Sequence, residues 1–346
     1  MAKKSSAQTK IFNTAKRPYA KAKKRYTNFL SRRPHRTFRL TRRRDYKRDW
    51  DMPGYIAFTN QVRQMLWGHK WLFTKFLALY SLFSFLIVGV LSQDNFNLLN
   101  KTVNQLGGNV VAGELSSIVQ NVAIFAGIFS GAFNQTLTES QQVYSGLLLL
   151  IGWLTIVWLL RQIMAGHKKL KLRDGLYSSG SPLVSTFLLF LVFFVQLIPF
   201  ALALIAYGVA DSADVFGDVL FTTMFWIVEL ILVVISMYWI TSTTIALVVV
   251  TLPGMYPFQA LKAAGDLAIG RRLRLLYRLA WLLLTIVVIW AVIILPFILL
   301  SQISWLSSLP IIPVVALLLN SFTVLWTASY VYLLYRKLVS DGSKPA

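Results

Sequence analysis

Six stretches of this sequence are apolar over the thickness of a lipid bilayer, and that feature confines the chain more tightly than any other. They cover approximately residues 71–91, 143–164, 182–206, 219–240, 279–300 and 311–335. A helix needs about 20 mostly apolar residues to cross roughly 30 Å of hydrocarbon, and each stretch is of that length. Inside them only Lys75 and Glu229 are charged, with Arg161 close to one end. The expected fold class is therefore all-α: an integral membrane helical bundle of six transmembrane helices, with interfacial amphipathic helices beside them.

Charge then orients the bundle. The 346 residues carry 35 Lys and Arg against 13 Asp and Glu, a formal net charge of +22 in a chain that is 56% hydrophobic. Residues 1–50 hold 18 of the basic and 2 of the acidic side chains, or +16, which leaves 17 and 11, or +6, for the rest. The chain divides accordingly into a disordered basic cytoplasmic tail, residues 1–52, too charged to bury a core, and a membrane domain, residues 53–340. With six spans, the loops 161–181 and 253–278 hold five basic residues each, and the end from Arg336 onward holds three. All thirteen fall on the side of the tail, whereas the alternate loops hold only Lys101. Retention of Lys and Arg on the cytoplasmic side predicts a multi-pass protein of the cell (inner) membrane with both termini in the cytoplasm. Residues 115–133 form a further uncharged run. If that run crossed as well, the thirteen charges would lie outside, so the orientation rule excludes it as a seventh span. No apolar run precedes Trp71, so no cleaved signal is expected and the first span does the targeting.

Within residues 115–133, Leu115, Ile118, Val119, Val122, Phe125, Ala126, Phe129 and Phe133 recur at helical spacing. The segment is expected as an amphipathic helix on the outer surface or as a re-entrant piece packed on the bundle. Gly127 and Gly131 form a small-xxx-small ridge in it, a candidate contact for a homo-oligomer. Two further interfacial helices are predicted on the inner side, over residues 55–69 and 257–272. Tyr55, Phe58, Val62, Met65 and Leu66 make the apolar stripe of the first, and Phe258, Leu261, Ala264, Leu267 and Ala268 that of the second. The fourth span stays apolar as far as Leu252, which is about 50 Å of straight helix from Val219. It must tilt, protrude or break, and residues 241–244 are the expected place for a break.

Little in the sequence suits catalysis. The absence of cysteine removes disulfides, thiolate metal sites and cysteine nucleophiles. His35, His69 and His167 lie outside the spans, none at metal-ligand spacing, and no phosphate-cradling glycine loop occurs. No catalytic residue, metal or cofactor is assigned. Asp211, Asp214 and Asp218 crowd a short outer loop, where they could hold a cation, and a solvated acidic loop obeying the orientation rule explains them equally well. Glu229 is the expensive residue, because a carboxylate at mid-membrane costs about 2.5–3.5 kcal/mol on insertion scales and usually faces a partner inside the bundle. Gln196, just before Pro199, and Asn320, beside Ser321 and Thr323, occur at similar depth. Gln196, Glu229 and Asn320 are expected to form a buried polar cluster, either as interhelical glue or as an ion or substrate site.

The tail carries basic clusters that include Lys23, Lys24, Arg25, Arg32, Arg33, Arg42, Arg43 and Arg44, interleaved with aromatic residues such as Tyr26, Phe29, Phe38 and Tyr46. Arg271, Arg272 and Arg274 add a second group just before the fifth span. Anionic lipid of the surrounding bilayer is the expected contact, since each Lys or Arg near such a leaflet contributes up to ~1 kcal/mol. RNA or DNA is the alternative, because phosphate contacts and base stacking use the same side chains.

The run His35-Arg-Thr-Phe-Arg-Leu-Thr-Arg-Arg-Arg-Asp45-Tyr46, continuing into Pro53-Gly54-Tyr55, resembles uncharacterised polytopic membrane proteins of small-genome candidate-phyla bacteria such as Saccharibacteria. Pro253-Gly254, Pro257, Ala260-Leu261 and Gly270-Arg271-Arg272, leading into a span, are similar to the membrane domain attached to some glycerophosphodiester phosphodiesterases. The resemblance implies a six-span helical fold. The phosphodiesterase barrel with its His, Glu and Asp set is absent from this sequence, so the resemblance does not imply that activity. A non-enzymatic membrane scaffold or lipid-associated protein is the expected function. The alternative is a small-solute or ion transporter or channel built on the cluster around Glu229.

Overall fold

In a computed structural model, residues 52–88, 138–167, 170–212, 219–300 and 311–342 are described, and their regular elements are helical throughout. The basic tail, the 115–133 segment with Gly127 and Gly131, and Asp214 and Asp218 lie outside the described residues. The elements in chain order are α1 (Tyr55–Gly68), α2 (Lys70–Phe83, continued by a π-helical turn Ser84–Val88), α3 (Glu139–Met164), α4 (Leu172–Ser179) and α5 (Leu183–Ser212). They are followed by α6 (Val219–Val249), α7 (Pro257–Ala268), α8 (Arg272–Leu300) and α9 (Ile311–Gly342). Six of these are long and apolar enough to cross a membrane: Lys70–Ile87, Glu139–Met164, Leu183–Tyr207, Thr222–Val249, Arg272–Ile294 and Val314–Ser340. The protein is thus an all-α, multi-pass membrane bundle, and Met52–Lys337 forms one unit of it.

Local chemistry sets the limits of α3. Thr138 accepts the Gln141 N–H on its hydroxyl at 3.4 Å, and Gln141 accepts the Thr138 N–H on its side-chain oxygen at 3.0 Å. This reciprocal cap satisfies two orphan donors and starts the helix ahead of Val143, its first predicted residue. At the far end Gly166 adopts φ +85°, while the N–H groups of His167 and Gly166 return to the carbonyls of Gln162 and Ile163. Such paired bonds stop a helix cleanly, and the left-handed conformation they need favours glycine.

The expected break in the fourth span does not occur, because α6 runs uninterrupted through residues 241–244. The hydroxyls of Thr241, Ser242 and Thr244 donate back to the carbonyls of Tyr238, Trp239 and Ile240, so the polar run is satisfied within the helix. The extra length is absorbed by protein contact, since residues 245–250 are all buried. The chain turns at Gly254, φ +76°, and α7 packs back along α6. Ala260, Ala264 and Ala268 are the buried face of α7, and small side chains are what let two helix backbones approach closely. Phe258, placed in the apolar stripe by sequence, is 84% exposed from the protein. The Arg272 guanidinium then stacks 4.0 Å from the ring centroid of Tyr238, which puts the start of α8 alongside α6 well before α6 ends.

Burial within the protein is uneven. Over their span windows α9 is 61% and α3 50% buried, whereas α5 and α6 are only 12% and 11% buried. The core therefore gathers on α3 and α9, and α5 with α6 leaves most of its apolar surface to the surroundings. Inside α5, Pro199 removes one backbone donor, and the next N–H, of Phe200, is taken by the Ser236 hydroxyl of α6 at 3.1 Å. Borrowing an acceptor from a neighbouring helix is how a proline is tolerated inside a span.

Candidate functional site

The three residues expected to form one polar cluster are placed differently. Gln196 on α5 accepts the Thr243 hydroxyl of α6 at 2.6 Å. Glu229 lies fourteen residues before Thr243 on the same unbroken helix, a separation of about 21 Å at ~1.5 Å per residue. Gln196 and Glu229 are thus separate sites. Glu229 is 9% exposed, and its Oε1 has no hydrogen-bond partner among the described residues. Asn320 is exposed, while its neighbours point inward: the Ser321 hydroxyl meets that of Ser81 at 2.6 Å, and Thr323 accepts the Trp290 indole N–H at 2.8 Å.

Two arginines that sequence reading left unassigned sit at the end of the bundle that carries the basic loops. Arg278, in the second turn of α8, is 4% exposed and donates through Nη2 to the Pro53 carbonyl. Its guanidinium also lies over the rings of Tyr55, 4.4 Å from the centroid, and Phe58, 5.5 Å away. Phe58 packs edge-on against Tyr330 of α9, and the Trp281 indole N–H donates to Thr59 at 3.0 Å. Together these contacts fasten α1 to α8 and α9. The interfacial helix predicted there is therefore part of the bundle, with Phe58, Val62 and Leu66 as its buried face.

Arg161 lines a cleft of about 370 Å³ between the end of α3, the α4–α5 junction and the turn after α6. That size falls within the usual range of small-molecule sites. Its Nη2 donates to the Thr251 carbonyl at 2.7 Å and hydroxyl at 2.5 Å, while the Trp153 indole N–H reaches the Leu247 carbonyl at 3.3 Å. Both close carbonyls left over at the end of α6, where a cation also suits the helix dipole. Nε and Nη1 of Arg161 have no protein partner among the described residues. Ser178, Ser181 and Ser185 line the same cleft, as does Ser179, whose hydroxyl bonds the Leu176 carbonyl. The position of α4 follows from Gly175, where a Cβ would already press on Thr155 and Leu159 of α3 at 3.2–3.3 Å. No carboxylate lines the cleft. The sequence signal for it was an arginine one turn inside a span end, together with the hydroxyl run Ser178-Ser179-Gly180-Ser181 just before Pro182.

Of the basic residues expected to meet lipid or nucleic acid, Arg271 is buried, Arg272 stacks on Tyr238 and Arg274 is exposed. The group from Lys23 to Arg44 lies outside the described residues. Among the described residues no three of His, Cys, Asp and Glu come together as a metal site would need. No family model matches the sequence, and neither a curated protein nor a solved structure is similar to it.

Proposed function

We propose that this chain is a non-enzymatic, lipid-associated scaffold of the inner membrane, with both termini in the cytoplasm. One observation carries the reading: several polar groups within the spans pair with one another across helices. Gln196 with Thr243, Ser81 with Ser321, Trp290 with Thr323 and Phe200 with Ser236 are four such contacts. Groups paired in this way fix helix register, whereas a conduction path needs polar groups free to meet a solute. The exposed apolar faces of α5 and α6 fit lipid, and the tail from Lys23 to Arg44 suits an anionic leaflet. A second copy meeting through Gly127 and Gly131 is the oligomer this reading expects.

Purification in mild detergent, followed by identification of co-purifying lipids, proteins and RNA, tests the proposal. A scaffold retains anionic lipid or a protein partner; RNA held through the tail in place of lipid defeats the lipid part. Transport is a second reading with one observation of its own, the buried Oε1 of Glu229 that lacks a partner among the described residues. A proton-dependent solute flux in liposomes that Glu229→Gln abolishes would establish transport in place of the scaffold.

A further inference from the structure

We infer that the cleft beside Arg161 binds the phosphate of an anionic amphiphile. The inference rests on the lipid-association reading above and gives it a defined site. Arg161 is a half-buried cation whose Nη2 is committed to Thr251 and whose other two nitrogens have no protein acceptor among the described residues. No carboxylate lines the cleft, so beyond the Thr251 oxygens and the C-terminal dipole of α6 no anionic side chain answers the charge there. An oxyanion answers it, since guanidinium–phosphate hydrogen bonds are among the strongest available. Three further donors are at hand in the hydroxyls of Ser178, Ser181 and Ser185. α5 begins at Leu183 on this same wall, so the positive end of its dipole adds to the field.

Part of the lining is apolar, with Leu154 and Trp158 on the same face of α3 as Arg161, and Met255 after α6. A small inorganic anion makes no use of such a wall, whereas a glycerol backbone with the start of an acyl chain does. The cleft also opens at the end of the bundle where the basic loops gather, the level at which a phospholipid headgroup resides. Phosphate is the chemistry shared by a lipid headgroup and the free ion, and experiment separates the two sources.

The test uses the full chain, purified and stripped of lipid, and counts bound molecules by native mass spectrometry. The probes are phosphatidylglycerol, a phosphate-free diglucosyl lipid of the same chain length, and inorganic phosphate. The wild type should hold phosphatidylglycerol at least about tenfold more tightly than the glycolipid, as expected for loss of a charged hydrogen bond. Arg161→Gln should remove that preference. Ser185→Leu should do so as well by filling the cleft, and it leaves the Arg161–Thr251 contact in place should Arg161→Gln fail to fold. Displacement of the lipid by millimolar phosphate assigns recognition to the phosphate alone; its failure to displace assigns the apolar wall a share. Either result keeps the phosphate site. Equal retention of phosphatidylglycerol by wild type and both variants overturns it, as does equal affinity for the glycolipid. Bulk enrichment of anionic lipid that persists in both variants would leave the scaffold reading intact while the cleft fails.

Discussion

Gly152→Ala isolates one contact on which the bundle depends. Gly152 is buried where α3 crosses α2, and a Cβ there would lie 2.7 Å from Cε2 and 3.1 Å from Cδ2 of Tyr80, with the Phe76 ring at 3.7 Å. Carbon atoms rest at about 3.5–4.0 Å, so the Tyr80 ring must retreat by roughly 0.8 Å or more. It has little room, being 6% exposed with the Phe76 ring centroid 5.8 Å away. Overpacking of this kind costs about 1–3 kcal/mol, while replacing a mid-helix glycine by alanine returns about 1 kcal/mol of helix propensity. The clash should win by about 1 kcal/mol, visible as a lowered unfolding midpoint in detergent. In a Tyr80→Leu background the clash is gone and only the propensity gain remains, so there the same change should stabilise. A sign reversal between backgrounds is therefore the expected result of the double-mutant cycle. If Gly152→Ala leaves the wild-type background as stable as before, or acts with the same sign and size in both, the close α2–α3 approach is wrong.

Arg278→Met removes a charged hydrogen bond to Pro53 worth about 1.5–3 kcal/mol and ring contacts worth about 0.5–2 kcal/mol, offset in part by relief of a buried charge. Hydrogen exchange should accelerate in α1 and stay unchanged in α3; unchanged exchange in α1 contradicts the clamp. The cycle of Gln196→Leu with Thr243→Val should return a coupling of about 0.6 and at most ~1.7 kcal/mol. Gln196 and Glu229, about 21 Å apart, should be additive within ~0.5 kcal/mol, and a larger coupling would restore the single cluster. Reporter fusions at residues 110, 170, 213, 265 and 340 should be cytoplasmic at 170, 265 and 340 and external at 110 and 213; external activity at 170 or 265 inverts the topology.

What the sequence made legible was whatever depends on length and hydropathy. The six spans, α1 at residues 55–68 and α7 at residues 257–268 follow from runs and periodicities that the chain displays locally. Thr138 with Gln141 would have located the start of α3 as well, since the cap is a four-residue pattern. The polar cluster was not legible, because depth in a span fixes height along a helix and says nothing of which face meets which neighbour. Gln196 and Glu229 sit on adjacent helices, but the α5–α6 register, set by Gln196 with Thr243 and Phe200 with Ser236, carries them apart. On α9 the inward positions are Ser321 and Thr323, and Asn320, one residue earlier, is turned out by the helical period of about 3.6 residues. A polar run at residues 241–244 read as a break for a similar reason: local sequence shows the hydroxyls but not the carbonyls one turn back that receive them.

The basic residues of the loops 161–181 and 253–278 then separate into two kinds. Orientation depends on the sum of Lys and Arg near the span ends and is indifferent to where each side chain points. Arg161 and Arg278 count toward that sum, yet each also donates to a backbone carbonyl just outside a helix, Thr251 after α6 and Pro53 before α1. Loss of either charge removes one of thirteen and should leave the topology standing, because the remaining twelve still face a single lysine on the other side. Loss of the carbonyl contact should not be so mild, since it takes from Pro53 the charged donor that holds it to α8. Arg278→Met is thus expected to keep the wild-type reporter pattern while α1 loosens. Were orientation and α1 protection to fail together, these arginines would have to be read as topological determinants alone, and the fastening of α1 as a by-product of insertion.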